Sequence, residues 1–159
     1  MHFRPASQLR DVARATLERE RARLGPLVPG GELVPTGASL LPDLLTAGDI
    51  DLHLRVPAAD FDAVIAQLRE VYAVVLPGIW LDGFATFAVP DADPPIGVAV
   101  TAIDGEHDRR FRRSWGRLAA DPAARMAYNA LKRAHEGGPV SGYLAAKSHF
   151  FDARAAEAD

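Results

Sequence analysis

The sequence predicts an α+β domain: a short mixed sheet of about five strands, helices against one face, and a helical C-terminal part closing over an acidic strand. Three observations lead there. Polar and apolar residues alternate from Asp49 to Val56, and Ile96 to Ile103 is apolar on both faces, so both stretches read as strands, the second central in its sheet. From Glu106 onward the pattern changes to the helical period and stays there. A chain of 159 residues, 48% hydrophobic and 25% charged, is enough for one core, so residues 1–159 read as a single domain.

In chain order, Leu9, Val12, Ala13, Leu17 and Leu24 follow a helical stripe between Arg and Glu residues, an amphipathic first helix from Pro5 that Gly25-Pro26 ends. Val28-Pro29-Gly30-Gly31 turns the chain into a short strand, Glu32 to Thr36. Gly37 and Ser39 precede an apolar stretch, Leu40 to Leu45, expected to start a helix whose free N–H groups face an anion. After the alternating strand, Pro57-Ala58-Ala59-Asp60 starts a second long helix with Phe61, Val64, Ile65 and Leu68 on one face, suited to pack on the sheet. Tyr72 to Leu76 and Phe84 to Val89 read as strands, and Asp91 to Pro95 as a loop. Three helices complete the chain: Glu106 to Ala120, Pro122 to His135 and Ser141 to Ala156. Asp121 caps the second ahead of an N1 proline, and Gly137-Gly138-Pro139 breaks the last two apart.

The chemistry concentrates between Thr36 and Val56. Alternate side chains of a strand point the same way, so Asp49, Asp51, His53 and Arg55 share one face while Ile50, Leu52, Leu54 and Val56 share the other. One face is core and the other a site. Two carboxylates one residue apart suit a hard divalent cation such as Mg2+, which takes few protein oxygens alongside water and substrate phosphates. By itself the pair also fits a glycosyltransferase, a calcium loop or a solvated edge strand. His53 on the same face can serve as a base or substrate contact, or simply bond at the strand end. Lys132 and Lys147 are the only lysines in a chain that otherwise uses arginine, and each stands four residues after a tyrosine, Tyr128 and Tyr143, on the same helix face. That framing asks for a compact ammonium, which a guanidinium fork does not replace. Arg109, Arg110, Arg112, Arg113 and Arg117 cluster on one helix, and Arg112 and Arg113 are candidates for contact with a phosphate or an anionic acceptor.

Several classes are excluded. With no cysteine there are no disulfides, thiolate nucleophiles or cysteine-bound zinc. A net charge of −3 gives no overall basic field for nucleic acid or an anionic membrane. No serine sits in a nucleophile elbow, and no glycine-rich loop ends in Gly-Lys-Ser/Thr. Met1 to Leu24 lacks the apolar run of a signal peptide and no stretch has the length of a membrane span, so a cytoplasmic location is expected.

Gly37-x-Ser39, Pro42 and, some ten residues on, Asp49-x-Asp51 resemble the nucleotidyltransferase superfamily, in which a Gly-Ser turn precedes an Asp-x-Asp strand. More narrowly, the chain resembles the GrpB-like family of that superfamily. Its members read Gly-Ser-Thr-x-Val-Pro-Gly-Leu, then four residues, an apolar pair and Asp; Gly37, Pro42, Leu44 and Asp51 fall at those spacings. Tyr128-Asn129-Ala130-Leu131-Lys132 and Tyr143-Leu144-Ala145-Ala146-Lys147 resemble that family's paired Tyr/Lys helices, so the resemblance runs from Glu32 to Phe151. Two departures stand out. Ala38 replaces the family's serine after glycine, and Ile96 to Ile103 lacks the third carboxylate common in the superfamily, the nearest being Asp104.

The resemblance implies a nucleotidyltransferase-like fold and transfer of a nucleotidyl group from a nucleoside triphosphate to a small-molecule or protein acceptor. It implies Mg2+ on Asp49 and Asp51, phosphates at Gly37 and Ser39, and Lys132 and Lys147 as catalytic cations. His53, Arg112, Arg113, Tyr128 and Tyr143 are the further substrate contacts. Two other readings stay open: the same pocket turned to acid/base chemistry on a small polar metabolite, and a catalytically silent ligand-binding module.

Overall fold

A computed structural model describes residues 1–156. In chain order the elements are β1 (Arg4–Pro5), α1 (Arg10–Leu24), β2 (Glu32–Thr36), β3 (Leu45–Thr46), β4 (Ile50–Val56), α2 (Phe61–Leu68), β5 (Ala73–Val74), β6 (Phe84–Ala88), β7 (Ile96–Ala102), α3 (Glu106–Ala120), α4 (Pro122–Ala134) and α5 (Val140–Ala156). Five strands form one mixed sheet in the order β2-β4-β7-β6-β5, with β4 and β7 parallel and the other pairs antiparallel. The doubly apolar β7 lies at its centre, as its composition requires. The short β1 and β3 pair separately.

The alternation of β4 sorts its side chains as expected. Ile50, Leu52, Leu54 and Val56 are at most 1% exposed and pack with Val98, Val100 and Phe87 against Leu24 of α1 and Phe61, Val64 and Leu68 of α2. Each such fully buried side chain contributes about 1.5–3 kcal/mol of transfer free energy. The C-terminal helices build a second, smaller core from Leu118, Ala124, Tyr128 and Phe150, packed on Ala38 and Leu44 of the segment between β2 and β4. Among the described residues, no helix is long and apolar enough to cross a membrane.

The expected helix over Leu40 to Leu45 does not form. A single turn, Ala38–Leu40, is followed by irregular chain and then β3. Its backbone groups find partners elsewhere: the Leu45 N–H donates to Asn129 Oδ1 at 2.8 Å, the Asn129 amide donates to the Asp43 carbonyl at 2.8 Å, and the Ala6 N–H donates to the Leu44 carbonyl at 2.8 Å. Long-range capture of these groups outweighs local helix propensity. The strand expected from Tyr72 to Leu76 shortens to Ala73–Val74: the Tyr72 N–H still donates to the Leu68 carbonyl at 2.8 Å, and Leu76 takes a left-handed backbone, φ 47°.

The acidic face of β4 is a site only as far as Asp51. Beyond it, α3 lies over the strand. Arg55 Nε donates to Asp108 Oδ1 at 2.7 Å and its Nη2 to Oδ2 at 2.9 Å, and the Asp104 N–H adds a third bond to that carboxylate at 2.9 Å. Burial alone would raise the Asp108 carboxyl, but the Arg55 fork and the Asp104 N–H hold it down at about 2. His53, read from the sequence as a substrate contact, is instead 2% exposed beneath this helix. Its Nε2 lies 2.7 Å from Thr101 Oγ1, and its ring 4.9 Å from that of Phe111. Phe111 closes off this part of the strand face, so His53 braces α3 and does not line a cavity.

Burial lowers the His53 pKa from 6.5 to about 4, with Arg55 and Arg112 acting in the same direction against Asp108 and Glu32. Between those values the unfolded chain binds a proton that the folded chain refuses. The stabilisation is therefore complete above pH 6.5 and is lost as pH falls through 4. Urea unfolding should show stability declining by about 2–3 kcal/mol between pH 7 and pH 4 from this group. A His53→Gln variant should show a flatter profile in that window; an unchanged slope would assign the decline to other groups.

Candidate functional site

The site begins with the pairing of β2 and β4. Thr36 lies opposite Asp51, so the chain leaving β2 must turn directly over the Asp51 side chain. It does so at Gly37, with φ 72° and ψ −168°, a conformation that glycine adopts without strain. A Cβ on Gly37 would lie 2.6 Å from Asp51 Cβ and 2.7 Å from its Cγ. Across the sheet, Asp51 is in register with Gly97 of β7, where an added Cβ would stand 3.4 Å from Asp51 Oδ1. The carboxylate thus occupies a slot between two glycines. Asp49, just before β4, accepts a long 3.4 Å hydrogen bond from Thr46 Oγ1, which itself accepts from the Gly48 N–H at 3.1 Å.

The C-terminal helices bring cations to this slot. Lys132 of α4 is 1% exposed; its ammonium donates to the Leu45 carbonyl and sits 4.1 Å from the centre of the Tyr128 ring, a favourable cation–π position. The hydroxyls of Tyr128 and Tyr143 are 3.2 Å apart, and burial raises the pKa of both phenols. Lys147 of α5 lines, with Asp49, Asp51 and Gly97, a cavity of about 520 Å³ that α3 bounds with Arg110 and Trp115.

Gly37, Asp49, Asp51, Lys132, Lys147, Tyr128 and Tyr143 therefore gather at one place. Ser39 stands beside it with its hydroxyl directed at the Thr36 carbonyl, 3.5 Å away. Arg112 lies 4.0 Å from Asp104 and does not line the aspartate cavity, and Arg113 lines an adjoining groove. The arginine that reaches the aspartate cavity is Arg110, which shares its helix face with Ser114. The four-residue spacing of Phe111 and Trp115 carried the signal for that inward phase. Gly97 carried none, since a glycine inside an apolar strand reads only as a weak position.

Burial and the neighbouring Asp49 raise the Asp51 carboxyl to about 6, while Lys147 and Lys132 pull it down. Burial, then Lys147, lowers the Lys132 ammonium to about 8 against the pull of the two aspartates. A carboxyl raised in the folded state is stabilising below its unfolded pKa, and that benefit is gone once pH has risen through 6. At pH 7.5 ionised Asp51 is thus a cost to the empty protein. Asp51→Asn should raise stability by about 1–2 kcal/mol in EDTA, read as a higher melting temperature. A lower melting temperature would mean that the lysines dominate.

Asp49 and Asp51 offer hard oxygens, the donor type Mg2+ prefers, and two carboxylates fit one such ion whose remaining ligands are phosphate and water. Among the described residues, no group of three or more His, Cys, Asp or Glu side chains converges on a cation position.

No family model and no curated protein matches the chain. Among solved structures it is similar to the conserved protein GrpB from Enterococcus faecalis, with 19% identity and a TM-score of 0.68 over 88% of each chain. It is also similar to Cid1, described for its RNA terminal uridylyl transferase activity, with 14% identity and a TM-score of 0.56 over 81% of this chain and 40% of that one. A Cid1 poly(U) polymerase structure with Mg and 3′-dATP bound aligns at 14% identity and a TM-score of 0.52, over 82% of this chain and 42% of the other. The chain spans most of GrpB and less than half the length of Cid1. These likenesses show a nucleotidyltransferase-like fold, the one implied by the sequence resemblance.

Proposed function

We propose, from a fold shared with GrpB and Cid1, that this chain binds a nucleoside triphosphate with Mg2+ and transfers its nucleotidyl group to a small-molecule or protein acceptor. The observation that carries the reading is the slot at Asp51. Gly37 gives up a side chain to make room for one carboxylate, which faces Gly97 across the sheet at the mouth of a cavity that also holds Asp49 and Lys147. The Cid1 structures that hold magnesium with 3′-dATP or GTP support a triphosphate as the ligand class.

Asp49 and Asp51 would hold the cation, which when bound supplies charge neutralisation for the phosphates. The turn at Gly37 and Ser39 would take the phosphates beside the carboxylates, and Lys147 and Lys132 place positive charge opposite them. The Tyr128 ring and the Leu45 carbonyl fix the Lys132 ammonium. In the transfer, an acceptor oxygen bonds to the α-phosphorus as the bond from that phosphorus to the bridging oxygen breaks. Pyrophosphate leaves with the bonding pair, and the acceptor proton passes to solvent. Nothing in a cysteine-free chain calls for an oxidising compartment, and the reading places it in the cytoplasm.

Calorimetric titration of each of the four nucleoside triphosphates with magnesium tests the reading. Wild type should bind at least one, and an Asp49→Asn/Asp51→Asn variant should bind it roughly 100-fold more weakly. If neither protein binds any of them, nucleotidyl transfer is abandoned. One observation favours binding without transfer: Gly97 and Ala99 occupy the β7 positions beside Asp51 and His53, where an acid would complete a three-carboxylate site. A silent module binds the triphosphate yet releases no pyrophosphate with any acceptor. If it binds no triphosphate, a thermal-shift screen of polar metabolites identifies the ligand instead.

A further inference from the structure

We infer that the groove between α3 and α5 is an anion site, set beside the aspartate cavity, which seats the phosphate of a small phosphorylated acceptor. Arg109, Arg113 and Arg117 recur every four residues along α3, so they share one face of the helix. With Arg110 and, from α5, Arg154, they line a cavity of about 390 Å³. Five arginines and two acidic residues, Glu106 and Asp152, line it, in a chain whose net charge is −3, although the Arg154 guanidinium itself stacks 3.8 Å from the centre of the Phe150 ring. Asp152 is engaged by Arg110, and Arg117 donates to the Arg154 carbonyl. Among the described residues, Arg109 and Arg113 have no ion-pair partner within 4.0 Å. Their planar forks match a phosphate bidentately, as ammonium groups cannot.

Position supplies the role. The groove shares Arg110, Ser114 and Phe151 with the aspartate cavity, so a ligand anchored in one reaches into the other. A cleft of this size between two helices holds a small molecule. A nucleic acid backbone would need a longer basic track. Assigning the anion to an acceptor rests on the nucleotidyl-transfer reading; the anion site itself does not.

Ribose 5-phosphate and inorganic phosphate, titrated in EDTA so that no cation recruits them to the aspartates, are the probes. Wild type and the Asp49→Asn/Asp51→Asn variant should bind both with similar affinity. Arg109→Ala, at an exposed position that does not line the aspartate cavity, should weaken binding roughly tenfold while leaving the affinity for the magnesium triphosphate unchanged. No binding to wild type, or equal binding to the arginine variant, overturns the anion site even if the triphosphate binds. If the arginine variant loses the magnesium triphosphate to the same degree, the groove holds the donor's own phosphate tail and the acceptor assignment falls. If no triphosphate binds but the arginine-dependent phosphate does, the transfer reading fails and the anion site stands.

Discussion

Asp108→Ala is expected to cost about 3–5 kcal/mol of folding stability, the usual price of stranding one half of a buried ion pair. Asp108 has no exposed surface, and Arg55, the strand residue it grips, has a side chain only 13% exposed. Without the carboxylate, the Arg55 guanidinium keeps only Glu32 at the rim and the distant Asp104, 3.9 Å away. The loss should appear as a lower urea midpoint at pH 7 with an unchanged slope. An Arg55→Met/Asp108→Leu variant should recover most of it, since well-packed apolar pairs often match or exceed buried ion pairs. A double variant as unstable as the single one would show that the loss arises elsewhere. Because α3 also carries Arg110 and Trp115 to the cavity wall, the single variant should bind the magnesium triphosphate more weakly as well.

Gly37→Ala is expected to cost about 2–4 kcal/mol, the sum of a left-handed backbone and overpacking. Alanine at φ 72° is strained before any contact is made, and its methyl would overlap the Asp51 side chain, 2.6 Å from Cβ. The overlap can be removed separately. In an Asp51→Gly background the cost should fall to the backbone part alone, about 1–2 kcal/mol, in a double-mutant cycle by chemical denaturation. An equal cost in both backgrounds would show that the close approach is not what excludes a side chain.

The strand carrying the aspartates was legible because a period of two is unmistakable when the apolar face is as uniform as Ile50, Leu52, Leu54 and Val56. The Tyr/Lys pairs were legible for a similar reason: both tyrosines are buried, and Lys132 lies against its own tyrosine on one helix face. What could not be read depends on partners far apart in the chain. Asp108, near the start of α3, reads as an ordinary helix acid; its partner Arg55 is 53 residues away. His53 shares its strand face with the aspartates, but whether that face meets solvent or Phe111 is decided by where α3 lands. Which arginines of α3 reach the aspartate cavity is a matter of helix phase, which a cluster of five obscures: Arg110 lines it, and Arg113 lines the groove beside it. Leu40 to Leu45 fails as a helix because Asn129, from the far end of the chain, takes up its backbone groups.

The order of synthesis gives the central position of β7 a further meaning. The Leu45 N–H waits for Asn129, 84 residues later, and the Leu45 carbonyl for Lys132, 87 residues later. A growing chain therefore makes β2, β4 and the two aspartates well before the strand that pairs with β4 on its other side, and before either lysine. Until β7 emerges, β4 is an unpaired sheet edge with an apolar row. Such an intermediate is prone to pair with a copy of itself. Pairing with β7 is the step that removes this edge, and it must await residue 102.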